Sequence, residues 1–166
     1  MLIKPKKSLG QNFLIDKNIL QKIVNSVSIY KNKEILEIGP GTGNLTYYLV
    51  KKNPKKIFVI EKDSELTLFL SEKFKGKVNI INDDILKVSE NLISKQKLIV
   101  FGNLPYNIST KILSKWIIST DKGFWFSKLI LMFQKEVADR IIAEVNTKNY
   151  SRLSIISNWK LDIKKI

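Results

Sequence analysis

The sequence has no cysteine and no histidine among its 166 residues. These absences exclude disulfides, thiolate catalysis and imidazole acid–base chemistry, and they remove the usual ligands of a zinc site. No apolar run approaches the roughly 20 residues that a membrane-spanning helix needs, and the first residues lack the apolar core of a signal peptide. We therefore expect a cytoplasmic location, with no metal site and no membrane partner.

Arginine is scarce, with Arg140 and Arg152 alone, whereas lysine is abundant and the formal net charge is +14. A charge of this sign favours a polyanionic partner, and nucleic acid is the first candidate. The alternative is that an AT-rich genome produced this composition without any binding role. The length suits one domain with a buried core, and we expect a monomer.

A short β-branched run, residues 34–38, leads directly into Gly39, Gly41 and Gly43 and then into an apolar pattern that is typical of a helix. Glycine is used where a loop needs a positive φ or where a ligand approaches the backbone. The free N–H groups of a following helix favour an anionic or polar ligand. The pattern predicts a nucleoside-type cofactor pocket, although its G-x-G-x-G spacing differs from the dinucleotide motif. A glycine-rich turn without a ligand is the alternative.

Apolar periodicity predicts strands that alternate with helices along the whole chain. This alternation indicates an α/β protein with a doubly wound, Rossmann-like parallel sheet, in a single domain that spans residues 1–166 and begins with a basic, mobile arm at 1–9. The predicted strands are 34–38, 57–61, 78–81, 98–101, 129–133 and a last short one at 161–165. The predicted helices are 17–28, 44–52, 64–74, 88–94, 109–119, 135–145 and 151–159.

The glycine loop and three polar residues lie at the ends of the first four predicted strands. Glu61 lies about 20 residues beyond the glycine loop, which is the spacing of a carboxylate that binds a ribose diol. A solvated residue before a helix is the alternative for Glu61. Asp84 follows the third strand and Asn103 the fourth. Because the carboxyl ends of parallel strands share one edge of a sheet, we expect these residues to form one site.

The segment Asn103-Leu104-Pro105-Tyr106 has a chemical logic of its own. Pro105 fixes its own φ and restrains Leu104 to extended conformations. The Leu104 carbonyl and the Asn103 side-chain carbonyl would then point to one place, where two acceptors suit an exocyclic amine. Tyr106 offers a flat face on which a base can stack. An Asx-type turn before a helix is the alternative.

This arrangement suits methyl transfer to a planar amine such as adenine N6. Such an amine is a weak nucleophile because its lone pair is delocalised into the ring. Acceptors that take its hydrogens out of the ring plane would return electron density to the nitrogen, which could then attack a methylsulfonium in line. Positioning and electrostatics carry a reaction of this kind. The absence of cysteine argues against C5-pyrimidine methylation, which needs a thiolate.

Five parts of the sequence together resemble the ribosomal RNA adenine N6-dimethyltransferases, and they occur in the order of that family. The glycine loop alone indicates only a class I methyltransferase, whereas the long match at 101–110 is specific. The matching parts are Gly10–Leu14, Glu37–Gly43, Glu61 with Asp84, Phe101–Thr110 and Gln134–Val137.

The resemblance implies S-adenosyl-L-methionine as the methyl donor and S-adenosyl-L-homocysteine as its product. It implies that Gly39 and Gly41 bound the methionine end, Glu61 takes the ribose hydroxyls and Asp84 takes the adenine amine. The remaining implied donor-binding residues are Gln11, Asn12, Leu14, Ile85 and Asn103. The residues implied to hold and activate the target adenine are Asn103, Leu104, Pro105 and Tyr106.

The resemblance also implies a product and a partner. The product would be N6,N6-dimethyladenosine at two adjacent adenosines in a hairpin near the 3′ end of small-subunit ribosomal RNA, in a pre-30S-type particle during ribosome biogenesis. Those bases must leave their stack to be reached. Members of the family continue into a further catalytic motif and a small helical domain, and neither is expected here. The chain would thus be a catalytic core.

Two other functions compete with this one. The macrolide-resistance (Erm) branch of the same family methylates one adenosine of large-subunit ribosomal RNA. Gly10 before Gln11 and Leu104 within the 103–106 segment favour the small-subunit branch. A non-catalytic RNA-binding assembly factor is the other possibility, and the intact set of Glu61, Asp84 and Asn103 argues against it.

Overall fold

The computed structural model describes residues 5–6, 10–29, 31–118 and 123–166. Most of the basic arm predicted at residues 1–9 therefore lies outside the described residues, with Pro5 and Lys6 as the exceptions. Among the described residues, no helix has both the length and the apolar character that crossing a bilayer requires.

Five parallel strands form one sheet in the order β3-β2-β1-β4-β5. This order confirms the predicted doubly wound fold, whose topological switch point lies between β1 and β4. The strands are β1 (Glu34–Ile38), β2 (Lys56–Glu61), β3 (Asn79–Asn82), β4 (Leu98–Asn103) and β5 (Phe126–Met132). The helices are α1 (Lys17–Asn25), α2 (Asn44–Lys51), α3 (Ser64–Phe74), α4 (Ser109–Ile118), α5 (Lys135–Ile141) and α6 (Arg152–Lys160).

Helices cover both faces of the sheet, and consecutive apolar residues of each strand point to opposite faces. Ile35 of β1 belongs to the core that α1, α2 and α3 form, whereas Leu36 belongs to the core that contains Trp116 of α4. All five residues of β1 are buried. The central strand is thus fixed from both sides, and the loop that follows it is held in a defined place.

The structure differs from the predicted elements at several ends. The strand predicted at 161–165 is wrong, since residues 161–166 have no regular structure and Leu161 and Ile163 instead pack against a small apolar cluster. β5 begins at Phe126, three residues earlier than predicted, because Phe126 already pairs with Leu98 of β4. The helix predicted at 88–94 contracts to a single 3-10 turn, Glu90–Leu92.

Candidate active site

The glycine loop and the 103–106 segment meet at the switch point of the sheet. The parallel register of β1 and β4 pairs Ile38 with Gly102, so the next residues, Gly39 and Asn103, lie side by side. A Cβ atom built on Gly39 would be 3.7 Å from the main-chain oxygen of Asn103. Ligands of open α/β sheets bind at this kind of crevice.

Two glycines of the loop cannot be replaced without cost. Gly43 has a φ of +75°, and a Cβ there would lie 2.6 Å from the ring of Phe74 on α3. Gly41 has a φ of +56°, and a Cβ there would lie 2.8 Å from the ring of Phe13. The loop therefore packs against α3 on one side and against Phe13 on the other. Its last residue, Gly43, leads directly into α2 and that helix's free N–H groups.

Glu61 ends β2 and is only 7% exposed. Its Oε2 accepts a hydrogen bond of 3.3 Å from the Gly41 N–H, and its Oε1 accepts one of 3.0 Å from the Asp63 N–H. Burial raises the pKa of Glu61 above its ordinary value, and the two N–H donors partly oppose this. The carboxylate thus joins β2 to the glycine loop, and the alternative of a solvated residue is wrong.

Asp84 and Ile85 follow β3 on the same edge. Asp84 Oδ1 accepts a hydrogen bond of 3.0 Å from the Leu86 N–H, and Asp84 Oδ2 accepts one of 3.0 Å from Lys62 Nζ. The Leu86 N–H and the Lys62 ammonium lower the pKa of Asp84, although its desolvation opposes them. Ile85 is buried directly beside this carboxylate. The pair offers an ionised acceptor next to an apolar surface.

Two cavities border the glycine loop, and Gly39, Gly41 and Asn103 line both. The larger has a volume of about 160 Å³ and connects the ends of β1, β2, β3 and β4. The smaller, about 20 Å³, lies beside Glu37 and has room for one water molecule. The predicted site residues that line the larger cavity are Gln11, Asn12, Gly39, Gly41, Glu61, Asp84, Ile85, Asn103 and Pro105.

Residues 10–14, which we call the strap, cross over this crevice. Asn103 Nδ2 donates a hydrogen bond of 2.7 Å to the Asn12 main-chain oxygen, and Asn12 Nδ2 donates one of 3.1 Å to the Tyr106 hydroxyl. At the other end, Asn44 Nδ2 of α2 donates one of 2.9 Å to the Leu14 oxygen. The strap therefore ties the end of β4 to the start of α2.

Gln11 attaches the strap to a third element, the start of helix α3. Its Nε2 donates a hydrogen bond of 3.1 Å to Asp63 Oδ2, and its Oε1 accepts one of 2.8 Å from the Lys6 N–H. Lys6 Nζ also lies 2.9 Å from Asp63 Oδ2. Asp63, which caps α3 through the Glu65 N–H at 3.1 Å, is thus the point where the strap joins α3. Gln11 reaches the cavity while it holds this contact.

The 103–106 segment is both a turn and part of the cavity wall. Leu104 is buried, Pro105 is half-buried and Tyr106 is 41% exposed. The Ile108 N–H donates a hydrogen bond of 3.1 Å to the Pro105 oxygen, which closes a turn before α4. The alternative of an Asx-type turn is wrong, because the Asn103 side chain donates to the Asn12 oxygen instead. The turn that forms is a main-chain turn. It does not exclude a binding role, because Asn103 and Pro105 also line the larger cavity.

Three residues of the site were not predicted from the sequence. Phe13 covers Gly41, Lys62 pairs with Asp84, and Glu37 lines the smaller cavity. Glu37 is 2% exposed, and its Oε2 has no hydrogen-bond partner within the part of the chain that the structure describes. Burial raises the pKa of Glu37 to about 8, and the neighbouring Thr46 and Lys73 oppose this only in part. Glu37 and Phe13 both lie inside the quoted motifs, but no pattern assigns them a contact.

The family model for ribosomal RNA adenine dimethylase matches residues 3–166. The chain belongs to the ribosomal RNA adenine dimethylase family. The resemblance that rests on the five motifs is thereby confirmed.

Among its relatives, the chain is 66% identical over 166 residues to the ribosomal RNA small subunit methyltransferase A of Pelagibacter ubique (strain HTCC1062). The match covers 100% of this chain and 63% of that protein, so the chain spans less than two thirds of the length of this relative.

Two solved structures have the same fold. A dimethyladenosine transferase from Plasmodium falciparum is 34% identical, with a TM-score of 0.73, and the match covers 87% of this chain and 51% of that one. The 23S rRNA methyltransferase ErmE is 25% identical, with a TM-score of 0.68, and the match covers 88% of this chain and 55% of that one. A dimethyladenosine transferase and a 23S rRNA methyltransferase therefore share this architecture.

Proposed function

We propose that this chain is the catalytic core of an S-adenosylmethionine-dependent ribosomal RNA adenine N6-dimethyltransferase. One observation carries the proposal: Glu61 and Asn103 lie on opposite sides of the switch point and line one cavity, with the glycine loop between them. A donor held by Glu61 and an amine held by Asn103 would therefore meet beside Gly39. The chain's membership of the family supports the same reaction.

The residues around the larger cavity fit the donor. When bound, S-adenosylmethionine supplies a methyl group activated by a sulfonium. Gly39 and Gly41 would bound its methionine end, and Glu61 would accept hydrogen bonds from its ribose hydroxyls. Asp84 would accept its adenine amine, with Ile85 against the ring. On the strap, Asn12 and Leu14 would close over it while Gln11 holds the strap to Asp63.

The two carboxylates have the capacity for these contacts. A carboxylate offers about four lone-pair sites. Glu61 uses one on each oxygen, for the N–H groups of Gly41 and Asp63, and Asp84 likewise uses one on each oxygen. Each residue therefore keeps acceptor sites for a ligand while its present hydrogen bonds hold it in position.

The target adenine would bind at residues 103–106. Because Asn103 Nδ2 donates to the strap, Asn103 Oδ1 is oriented as an acceptor. Together with the Leu104 carbonyl it would take the two hydrogens of N6 and return electron density to the nitrogen. Pro105 restrains the backbone of Leu104 to extended conformations, and the exposed ring of Tyr106 would stack on the base once it has left the helix.

We also propose which adenosines of small-subunit ribosomal RNA are methylated. The sites would be two adjacent adenosines of the hairpin near the 3′ end of small-subunit ribosomal RNA, modified in a pre-30S-type particle during ribosome biogenesis, by a cytoplasmic monomer. The name of the relative at 66% identity supports this branch, whereas the large-subunit enzyme is 25% identical.

The test is to incubate the chain with labelled S-adenosylmethionine and with purified small or large ribosomal subunits that lack the modification. The Pelagibacter relative at its full length is the positive control, and the Asn103→Ala variant is the negative control. We expect label in small-subunit RNA as N6,N6-dimethyladenosine by mass spectrometry. Preferential labelling of the large subunit would replace this substrate with that of the Erm branch. Donor binding without labelling of either subunit by the chain or the relative would contradict the proposed activity.

A further inference from the structure

The edge of the sheet opposite the candidate active site is strongly basic. Four segments lead into β1, β2, β3 and β4: residues 26–33, 52–56, 75–78 and 93–97, of which the second includes Lys56, the first residue of β2. These segments contain no acidic residue and nine lysines, which we call the basic edge: Lys31, Lys33, Lys52, Lys55, Lys56, Lys75, Lys77, Lys95 and Lys97.

The loops at the other edge have a different charge. The segments that follow the same four strands are 39–43, 62–63, 83–89 and 104–108. They contain two lysines, Lys62 and Lys87, and three aspartates, Asp63, Asp83 and Asp84. Their net charge is therefore −1, against +9 at the basic edge. The positive charge is thus concentrated away from the site rather than spread evenly, which a compositional bias alone does not explain.

The segments of the basic edge lie at one end of the parallel sheet, and most of their lysines are exposed. Eight of the nine are exposed, and Lys33 is half-buried. The Lys55 N–H donates a hydrogen bond of 2.8 Å to the Lys33 oxygen, so the first two segments lie side by side. Within the described residues, Lys55 alone of the nine forms an ion pair, at 3.4 Å with Glu34. Like charges gathered at one edge of the sheet repel one another, and an anionic partner would relieve that repulsion.

We propose that the basic edge binds the phosphate backbone of a second segment of ribosomal RNA, separate from the segment whose adenine enters the site. The inference rests on the proposed function for the identity of its partner. β1 has five residues, which at about 3.3 Å each separates the two edges by roughly 16 Å. A large folded RNA can present one strand to the site and another to the basic edge. Lysine suits such contacts, since it meets phosphate as a point charge and reads no base.

The composition of these segments favours RNA over an anionic membrane. Segments that lie on membranes combine basic residues with exposed large apolar side chains that enter the bilayer. In the described part of these four segments no large apolar side chain is exposed, and Leu92, just before the fourth, is the nearest along the chain. Within its described residues, the basic edge therefore has the charge for a lipid surface and lacks the apolar anchor.

The test compares two variants that remove the same charge. In the first, Lys31, Lys56, Lys77 and Lys97, one from each segment, are changed to Gln. In the control, four exposed lysines that lie outside these segments and their strands, Lys17, Lys148, Lys160 and Lys165, are changed to Gln. Affinity for protein-free small-subunit ribosomal RNA is measured across a salt series, and thermal melting and donor titration confirm that both variants fold.

We expect the first variant to lose at least tenfold in affinity at low salt. The slope of log affinity against log salt should decrease by about 3, since each lost phosphate contact contributes roughly 0.7–0.9. The control should change far less. Equal losses in the two variants, or no loss in either, would overturn the inference. So would tighter binding of the unmodified chain to phosphatidylglycerol vesicles than to the RNA.

A second measurement keeps this inference apart from the proposed function. Methyl transfer to a short hairpin that carries only the target adenosines should be the same for the first variant and the unmodified chain, because that RNA does not reach the basic edge. A first variant that is impaired on the short hairpin would contradict the placement of the contact. If the chain methylates no RNA at all, the proposed function fails, and the salt series still decides whether the basic edge binds RNA.

Discussion

The main-chain N–H of Gly41 donates a 3.3 Å hydrogen bond to Oε2 of Glu61, twenty residues further along the chain. This contact connects the glycine loop after β1 to the end of β2. Because the same carboxylate also accepts from the Asp63 N–H, Glu61 fixes three parts of the candidate donor site at once. Its role in binding can be separated from this supporting role by substitution.

Replacing Glu61 with Ala should weaken donor binding by roughly 1–3 kcal/mol, the usual loss when a buried hydrogen-bonding partner is removed. Titration calorimetry with S-adenosylhomocysteine measures this directly. Glu72→Ala, at an exposed position of α3, is the matched control and should leave affinity unchanged. Equal affinities for the chain and its Glu61→Ala variant would remove Glu61 from the donor site.

Asp63→Ala should release the strap as well as the cap of α3. We expect the free energy of unfolding to fall by about 1–2 kcal/mol for the lost cap and donor affinity to fall with it, since Lys6 and Gln11 lose their anchor. Asp16→Ala is the control, because Asp16 caps α1 through two N–H groups away from the cavity. It should lower stability and spare donor affinity. A similar loss of affinity in both variants would contradict the strap's role.

The pKa of the Asp63 carboxylate also predicts how the stability of the chain changes in acid. Burial acts to raise the pKa of Asp63, but the hydrogen bonds from Lys6, Gln11 and Glu65 outweigh it, so the pKa lies below its ordinary 3.8. A carboxylate with a depressed pKa adds stability above its unfolded-state pKa and loses that contribution as the pH falls through the folded-state value. Acid unfolding of the Asp63→Asn variant should therefore depend less steeply on pH below about 4. An identical acid profile would argue against the ion pair.

The raised pKa of Glu37 predicts that stability depends on pH in the opposite direction. Its pKa is raised from 4.5 to about 8, so the folded chain holds a proton that the unfolded chain releases between those values. Stability should therefore decrease as the pH rises through this window, by up to about 5 kcal/mol for a shift of this size. Glu37→Gln should remove that decrease, as chemical denaturation at about pH 5 and pH 8.5 would measure. Glu72→Gln is the exposed control, and a variant that keeps the decrease would contradict this assignment.

Substitutions at two glycines would distinguish destabilisation by backbone strain from destabilisation by steric crowding. Gly43 and Gly76 have φ values of +75° and +80°, but a Cβ on Gly43 would meet Phe74 and Leu70, whereas nothing lies within 4 Å of one on Gly76. Gly76→Ala should cost about 1–2 kcal/mol for the left-handed backbone. Gly43→Ala should cost about 1–3 kcal/mol more because the core is overpacked. Equal losses in thermal or chemical unfolding would show that α3 moves away at little cost.

The strands were predictable because each combines apolar character with a polar or glycine-containing end, and this holds for β1 to β4. The strand predicted at 161–165 failed because Leu161 and Ile163 alternate as a strand would but use that alternation to pack without pairing. Alternation alone reports one buried face and contains no information about a partner strand.

The site could be predicted in outline for a related reason. Residues just after parallel strands converge whatever their sequence separation, so Glu61, Asp84 and Asn103 were expected to lie together. The hydrogen bonds of Gln11 with Asp63, the cover of Phe13 over Gly41 and the pairing of Lys62 with Asp84 depend on how the strap folds back. No periodic pattern encodes contacts of that kind between distant loops.

The central claim is that donor and target adenine meet where Gly39 lies beside Asn103. The most direct test is the Asn103→Ala variant, studied by donor titration and by single-turnover methyl transfer to small-subunit particles. The account predicts a donor affinity within about twofold of the unmodified chain and a transfer rate at saturating donor that is at least about 100-fold lower, the usual effect of removing one preorganised group. An Asn103→Ala variant that transfers methyl groups at the unmodified rate would contradict it.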